Sequence, residues 1–259
     1  MNVITDLWRY AELCSHDNDE YLIRRVLLSM EQPVIPMITL MRNNTDFGYI
    51  CEGGNRVVIA FRGTDGFEAW LRNFDPWPLE CENQNARGYI HDGFWDAFES
   101  FKTEIDRYFR GSFRLNGDFS RCPVPVFITG HSRGGALATL CARHLAKNRK
   151  LPVSCVSFGA PAQGTKKYRD EVDLLPVNHS RVVNGYDIVT TLPPSWLGFR
   201  HCGKLFHMAV PLWRKLFRVT KILDHAYSSY TKGLLKYCEA RGDLDGADEM
   251  KTVLARVTI

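Results

Sequence analysis

The sequence predicts an α/β fold, a mostly parallel central sheet with helices on both faces, in a single domain. Three observations carry that expectation. An apolar strand at Val124–Thr129 passes through a glycine-rich turn into a helical stretch from about Gly134 to Lys147, and then into a second apolar strand, Val153–Phe158. That order is a βαβ unit, whose crossover makes the two strands parallel. A further apolar strand, Arg181–Asn184, follows a polar helical stretch around Gly164–Val172, so strands and helices keep alternating. Finally, 259 residues with 45% hydrophobic and 24% charged composition are enough for one large core without disulfide staples.

Taken from the start, Leu7, Tyr10, Ala11 and Leu13 form an apolar helical face. Phe47–Cys51 and Val57–Phe61 read as strands, with Gly53, Gly54 and Asn55 as the hairpin turn between them. Near the end, Tyr230, Leu234, Leu235 and Cys238 recur at helical spacing within 226–238, so a late helix should pack on the sheet.

Composition excludes several classes. A formal charge of +4 is far from the basic excess of a nucleic-acid-binding domain, and no zinc-finger or aromatic-basic RNA signature is present. Residues 1–25 interleave Asp6, Arg9, Glu12, Asp17, Asp19 and Glu20 with apolar positions, so no signal-peptide core forms there. No stretch approaches the ~20 apolar residues of a membrane span. A cytoplasmic protein is therefore expected, with its eight cysteines mainly as free thiols. Cys141 and Cys155, each inside a strongly apolar segment, illustrate why.

The chemistry centres on Gly130-His131-Ser132-Arg133-Gly134, followed by Gly135. The Gly-x-Ser-x-Gly spacing is weak evidence alone. Between a strand and a helix it reads as a nucleophile elbow, with Ser132 above the sheet at a helix N-terminus. The glycines allow a tight turn and a close approach of helix and strand. The plainer reading is a glycine-rich turn in which Ser132 merely caps the helix.

With these residues in hand, the chain resembles the class 3 (fungal-type) lipase family of α/β-hydrolases, over most of residues 47–230. The matching pieces are the 57–64 segment ending Phe61-Arg62-Gly63-Thr64, His91-Asp92-Gly93-Phe94, the elbow, Phe158-Gly159-Ala160-Pro161, and Arg181-Val182-Val183-Asn184 leading to Asp187-Ile188-Val189. One departure is Arg133, where the family usually has Leu; the contribution expected there is a backbone N–H. The resemblance implies a serine hydrolase of lipid-like carboxylic esters, an acylglycerol lipase or phospholipase, with no metal or organic cofactor. Short-chain esterases and acyltransferases use the same residues, and a non-catalytic lipid-binding module is the rival from another class.

In α/β-hydrolases the nucleophile, acid and base follow in that chain order, which leaves His201, His207 and His225 as candidate bases. The family's terminal histidine corresponds to His225, with His207 in reserve. Asp187, just after the strand at 181–184, stands at the family's acid position; Asp170 and Asp173 read as solvated helix charges, and Asp224 as a chain neighbour pointing elsewhere. The oxyanion hole maps to the backbone N–H groups of Arg133 and Thr64, with the Thr64 hydroxyl as a third donor.

Phe67, Trp70, Leu71 and Phe74, one helical face ahead of Pro76 and Pro78, resemble the family's lid, here 65–87. Residues 199–223 carry six Lys and Arg among large apolar residues and no acid, a pattern suited to peripheral contact with an anionic lipid surface. The sequence says nothing of oligomeric state.

Overall fold

The structure is a computed structural model that describes residues 3–16, 20–30, 37–42, 46–53, 55–63, 78–80, 87–112, 122, 124–208 and 222–257. Helices α1 (Val3–Leu13) and α2 (Glu20–Met30) lead into strands β1 (Met37–Arg42), β2 (Phe47–Gly53) and β3 (Arg56–Phe61). Short strands β4 (Pro78–Glu80) and β5 (Tyr89–His91) precede helix α3 (Asp92–Ser112). Then come β6 (Val126–His131), α4 (Arg133–Asn148), β7 (Val153–Phe158), β8 (Gly164–Thr165), α5 (Lys166–Asp173) and β9 (Val177–Asn184). The described chain ends with β10 (Phe199–Arg200), β11 (Lys204–Met208), α6 (Tyr227–Arg241) and α7 (Leu244–Val257).

The main sheet has the order β1-β2-β3-β6-β7-β9-β11. Its first three strands form an antiparallel meander, and every pairing from β3 onward is parallel. β8, β10, β5 and β4 form a small antiparallel sheet beside it. The α/β-hydrolase architecture expected from the sequence is the one observed.

Side chains alternate along the strands and feed two cores. On one face Val57, Ile59, Phe61, Ile128 and Cys155 meet Phe98, Phe101, Leu137 and Cys141 from α3 and α4. On the other, Val58, Ala60, Val156, Phe158 and Val182 meet Leu7, Trp8 and Ala11 of α1, Tyr230 and Leu234 of α6, and Met250 and Val253 of α7. Helix α4 is buried almost all round, from Gly134 to Ala146. Its glycines and alanines let it sit close over β6 and β7, as a helix between layers requires. Cys141 and Cys155 are buried free thiols whose pKa values burial raises, as a small hydrophobe in that core would have.

The differences from the sequence reading have local causes. The strand expected from Val124 begins at Val126, because Pro125 has no N–H to pair; its carbonyl accepts Val57 N–H at 3.0 Å. The helix expected from Gly164 starts two residues later, since Gly164 and Thr165 pair as β8. Within the basic-apolar stretch at 199–223, residues 204–208 are edge strand β11 and 209–221 lie outside the described residues. The lid face Phe67, Trp70, Leu71 and Phe74 also lies outside them; of 65–87 only the backbone of β4 and Arg87 are described.

His179 on β9 is buried, with Nε2 3.0 Å from Ser157 Oγ. Burial, then the charges of Arg181 and His201, lower its pKa to about 4, against about 6.5 in an unfolded chain. Between those values the unfolded chain binds the proton and the folded one does not. Stability from this residue is therefore intact above pH 6.5, falls as pH drops toward 4, and levels off below. His179→Gln should flatten the dependence of Tm on pH across that window. A variant with the wild-type slope would contradict this.

Candidate functional site

β6 delivers the glycine turn to the carboxyl end of the sheet. Ser132, directly after it, has φ 58° and ψ −129°, a conformation that costs a non-glycine residue on the order of 1–3 kcal/mol. Close packing imposes it. A Cβ at Gly130 would lie 2.3 Å from the Gly134 carbonyl oxygen, and one at Gly134 would lie 2.3 Å from that of Phe61. Ser132 N–H donates to Phe158 O at 2.8 Å, and Gly135 N–H donates to Ser132 O at 2.9 Å. The Ser132 hydroxyl makes no capping bond to α4, so the plainer capping reading fails.

Asp187 follows β9 through Gly185 and Tyr186 and starts a 3-10 turn, Ile188–Thr191. Its side chain is fully buried. Val189 N–H donates to Oδ1 at 2.9 Å and the Tyr230 hydroxyl to Oδ2 at 2.7 Å. His225, 3% exposed in the turn before α6, places Nδ1 3.0 and 2.9 Å from the two oxygens. A carboxylate only accepts, so Nδ1 is the donor and the Nε2 lone pair is the basic one. Tyr230 also accepts Asn184 N–H at 3.1 Å, and burial beside Asp187 pushes its pKa well above the usual value.

The end of β7 joins this pair to the elbow. Gly159, at the end of β7, has φ +57°, and a Cβ there would lie 2.8 Å from Asp187 Oδ2, 2.9 Å from Tyr230 Oη and 3.2 Å from His225 Cε1. The residue before it, Phe158, holds the Ser132 N–H. His131, the residue before Ser132, stacks on the His225 ring with centroids 4.6 Å apart and 29° between planes. Tyr227, Tyr230 and Trp8 surround His131 at 4.2, 5.2 and 5.7 Å. Burial lowers the His131 pKa well below 6.5, and the neighbouring His225 lowers it further, so this ring stays neutral.

Ser132, Asp187 and His225 thus share one end of the sheet. The other candidates do not join them: His201 Nε2 meets Thr190 O and His207 Nε2 meets Gly185 O, each at 2.7 Å. Asp224 is buried and accepts Tyr186 N–H at 2.9 Å, and Asp170 pairs with Lys166 and Arg169. As the first residue of α4, Arg133 has its N–H in the turn where no helical carbonyl is available. Thr64 lies outside the described residues. Its neighbour Gly63 touches the elbow, since a Cβ there would lie 3.3 Å from Ser132 Cβ. Among the described residues no group of three or more His, Cys, Asp or Glu could hold a metal ion.

The chain matches the family described as Lipase (class 3) over residues 58–196. It belongs to the class 3 lipase family. Among the relatives of this class 3 lipase chain, the secreted mono- and diacylglycerol lipase 1 of Fusarium solani is 30% identical over 145 residues, covering 56% of this chain and 41% of that protein. The chloroplastic/mitochondrial phospholipase A1 EG1 of Oryza sativa subsp. indica is 34% identical over 232 residues, covering 79% and 53%. The chain therefore spans about two fifths to one half of these curated relatives' length. In structure it resembles the Rhizomucor miehei triacylglyceride lipase, with a TM-score of 0.69 at 20% identity over 85% of this chain and 90% of that one. That likeness shows the fold.

These comparisons correct one expectation. A cytoplasmic location is what the sequence predicts, whereas these relatives are secreted and chloroplastic/mitochondrial proteins. Helix α1 packs in the core, so the mixed pattern of its residues reports a globular helix, not a compartment. No helix among the described residues is long and apolar enough to cross a membrane.

Tyr230, Trp8 and Asp46 also shape this site without having been expected there. Arg133 Nη1 pairs with Oδ1 of Asp46, the residue before β2. With Asp46 7% exposed, Arg133→Leu removes an ion partner of a buried carboxylate and should destabilise the fold by about 3 kcal/mol. The double variant Arg133→Leu with Asp46→Leu should regain much of that in urea denaturation. Strict additivity of the two single losses would show that the pair is not coupled.

Proposed function

We propose that this chain is a serine hydrolase of lipid carboxylic esters, acting on acylglycerols or phospholipids. The observation that carries the reading is the buried Asp187–His225 hydrogen bond beside a strained serine whose hydroxyl does not cap its helix. Its relatives, a mono- and diacylglycerol lipase and a phospholipase A1, support the substrate class.

In this reading His225 Nε2 takes the proton of Ser132 as its Oγ attacks the ester carbonyl. Asp187 holds Nδ1–H and stabilises the imidazolium that forms. The Arg133 N–H, with Thr64 as the second donor, receives the developing oxyanion. Collapse expels the alcohol, protonated by His225, and leaves an acyl-Ser132. Water, activated by the same imidazole, then releases the acid. The stack of neutral His131 on His225 fixes the ring's tilt without placing a second positive charge beside the imidazolium.

A fluorophosphonate should label the wild-type protein and not Ser132→Ala. Asp187→Asn, which removes the acceptor that sets the His225 tautomer, should lower kcat about 10⁴-fold on a soluble ester. A folded wild-type protein that resists labelling would overturn the reading.

Peripheral contact with a lipid surface belongs to the same proposal. In its support Trp196 is 81% exposed and Leu205 54% exposed, with Arg200 and Lys204 exposed beside them. Trp196→Asp should lower the fraction of protein that co-sediments with anionic phosphatidylglycerol vesicles. An unchanged fraction would remove Trp196 from that surface.

A further inference from the structure

Arg181 stands in the middle of β9, between Ser157 of β7 and Leu205 of β11. Neither cross-strand neighbour is an acid. It is half-buried, and among the described residues it makes no hydrogen bond and no ion pair; its Nε is buried without a partner. Four other arginines have carboxylate partners. Arg56 pairs with Asp6, Arg133 with Asp46, Arg143 with Glu171 and Arg149 with Asp106. Removing part of a charge from water without a counter-charge is unfavourable, so a lone guanidinium on a sheet calls for a compensating group.

Asp187, the carboxylate on the same cavity wall, makes no ion pair with Arg181, its oxygens being taken by Val189, Tyr230 and His225. Tyr230 and Cys202 are the acidic side chains it feels, and burial pushes both well above their usual pKa values, so both are neutral. Burial first, and then the like charge of Arg181, holds His179 and His201 each at about 4. Arg181 opens into a cavity of about 600 Å³ at the edge of β9 and β11, walled also by His201, His207, Tyr186, Leu205 and Asp187. Ligand sites commonly occupy ~300–1,000 Å³.

The donors and acceptors define the occupant. Arg181 offers a charged fork to oxyanion oxygens. His201 Nε2 is engaged by the Thr190 carbonyl, so in the neutral ring it carries the proton, and the buried, unpartnered Nδ1 is an acceptor. A carboxylate would answer the first need alone. A phosphate that bears or adjoins a hydroxyl answers both.

We propose that this cavity binds a phosphate group, its anionic oxygens on Arg181 and a hydroxyl donating to His201 Nδ1. Two sources share that chemistry: inorganic hydrogenphosphate, and the headgroup of a phospholipid whose phosphate carries a polyol. Only the headgroup source rests on the lipid-ester reading above. Since Asp187 is shared by the cavity wall and the His225 hydrogen bond, a headgroup held there would lie next to the proposed reacting centre.

The test is calorimetric titration of inorganic phosphate, and separately of monomeric dihexanoyl phosphatidylglycerol, into the full chain carrying Ser132→Ala so that nothing is hydrolysed. At least one should bind. Arg181→Gln should weaken that binding tenfold or more, and Arg107→Gln, at an exposed position on α3, should not. Binding of phosphatidylglycerol with the Arg181 dependence supports the site with the headgroup as its source; Arg181-dependent binding of inorganic phosphate alone supports it with free phosphate. Binding that ignores Arg181, or no binding of either, overturns the proposal. Should Arg181→Gln fail to fold, Arg181→Lys keeps the charge but loses the fork and should still bind severalfold more weakly. Fluorophosphonate labelling separates the two readings, because phosphate binding by a protein that does not label would sink the hydrolase and leave this site standing.

Discussion

The functional end of the molecule depends on the placement of one buried carboxylate. Asp187 has no solvent on its side chain, so every donor to it comes from the protein. Those donors come from different parts of the chain: Val189 from the turn that follows, Tyr230 from α6 and His225 from the turn before α6. The Asp187 backbone carbonyl in turn accepts the Thr190 hydroxyl at 2.8 Å. Satisfying the charge therefore docks α6 on the end of β9 and sets the His225 ring in one step. Gly159 makes room for this, since any side chain at its position would strike the carboxylate and the Tyr230 hydroxyl together.

The elbow is braced on the same side of the sheet as α6 by residues far away in sequence. Trp8 of α1 packs edge-on against Phe158 at 4.9 Å, stacks on Tyr230 at 5.6 Å and meets His131 at 5.7 Å. Its indole N–H donates to Thr231 Oγ1 at 3.0 Å, which ties α1 to α6. Arg9 of α1 reaches Glu249 of α7 at 2.7 Å, and Asp6 reaches Arg56 of β3. The N-terminal helix is thus a structural wall of the site, and the local strain at Ser132 is borne by packing that spans the whole chain.

What was legible in the sequence follows from how local each cause is. The elbow was readable because its glycines answer steric demands within five residues. Chain order and family pattern single out Asp187 and His225 as candidates, and the structure brings their side chains into hydrogen-bond contact. Tyr230 was expected only as one apolar position on a helix face; nothing in 226–238 says that its hydroxyl meets a carboxylate 43 residues earlier. Asp46 and Arg133 are 87 residues apart, with no spacing rule to join them. β1 and β11 had no strand signature because both are sheet edges, where solvent reaches one side and the burial alternation breaks down. The charges of β11 and its neighbours read instead as a basic face.

The energetics of the polar cluster argue that stability is not what retains it. A buried ionic group with all its donors in place is commonly no more stabilising than apolar residues of equal volume. Asp187, Tyr230 and His225 sit among Phe158, Trp8 and Tyr227, a setting in which an apolar trio would pack without any desolvation cost. The serine next to them adds backbone strain that an ordinary turn would avoid. Local rules broken together at one end of a sheet, while the two cores beneath obey them, mark a place where the fold gives up stability for something else. An imidazole held on a buried carboxylate, at the same end of the sheet as a serine held out of its helix cap, is what the proposed hydrolase reading requires of both concessions.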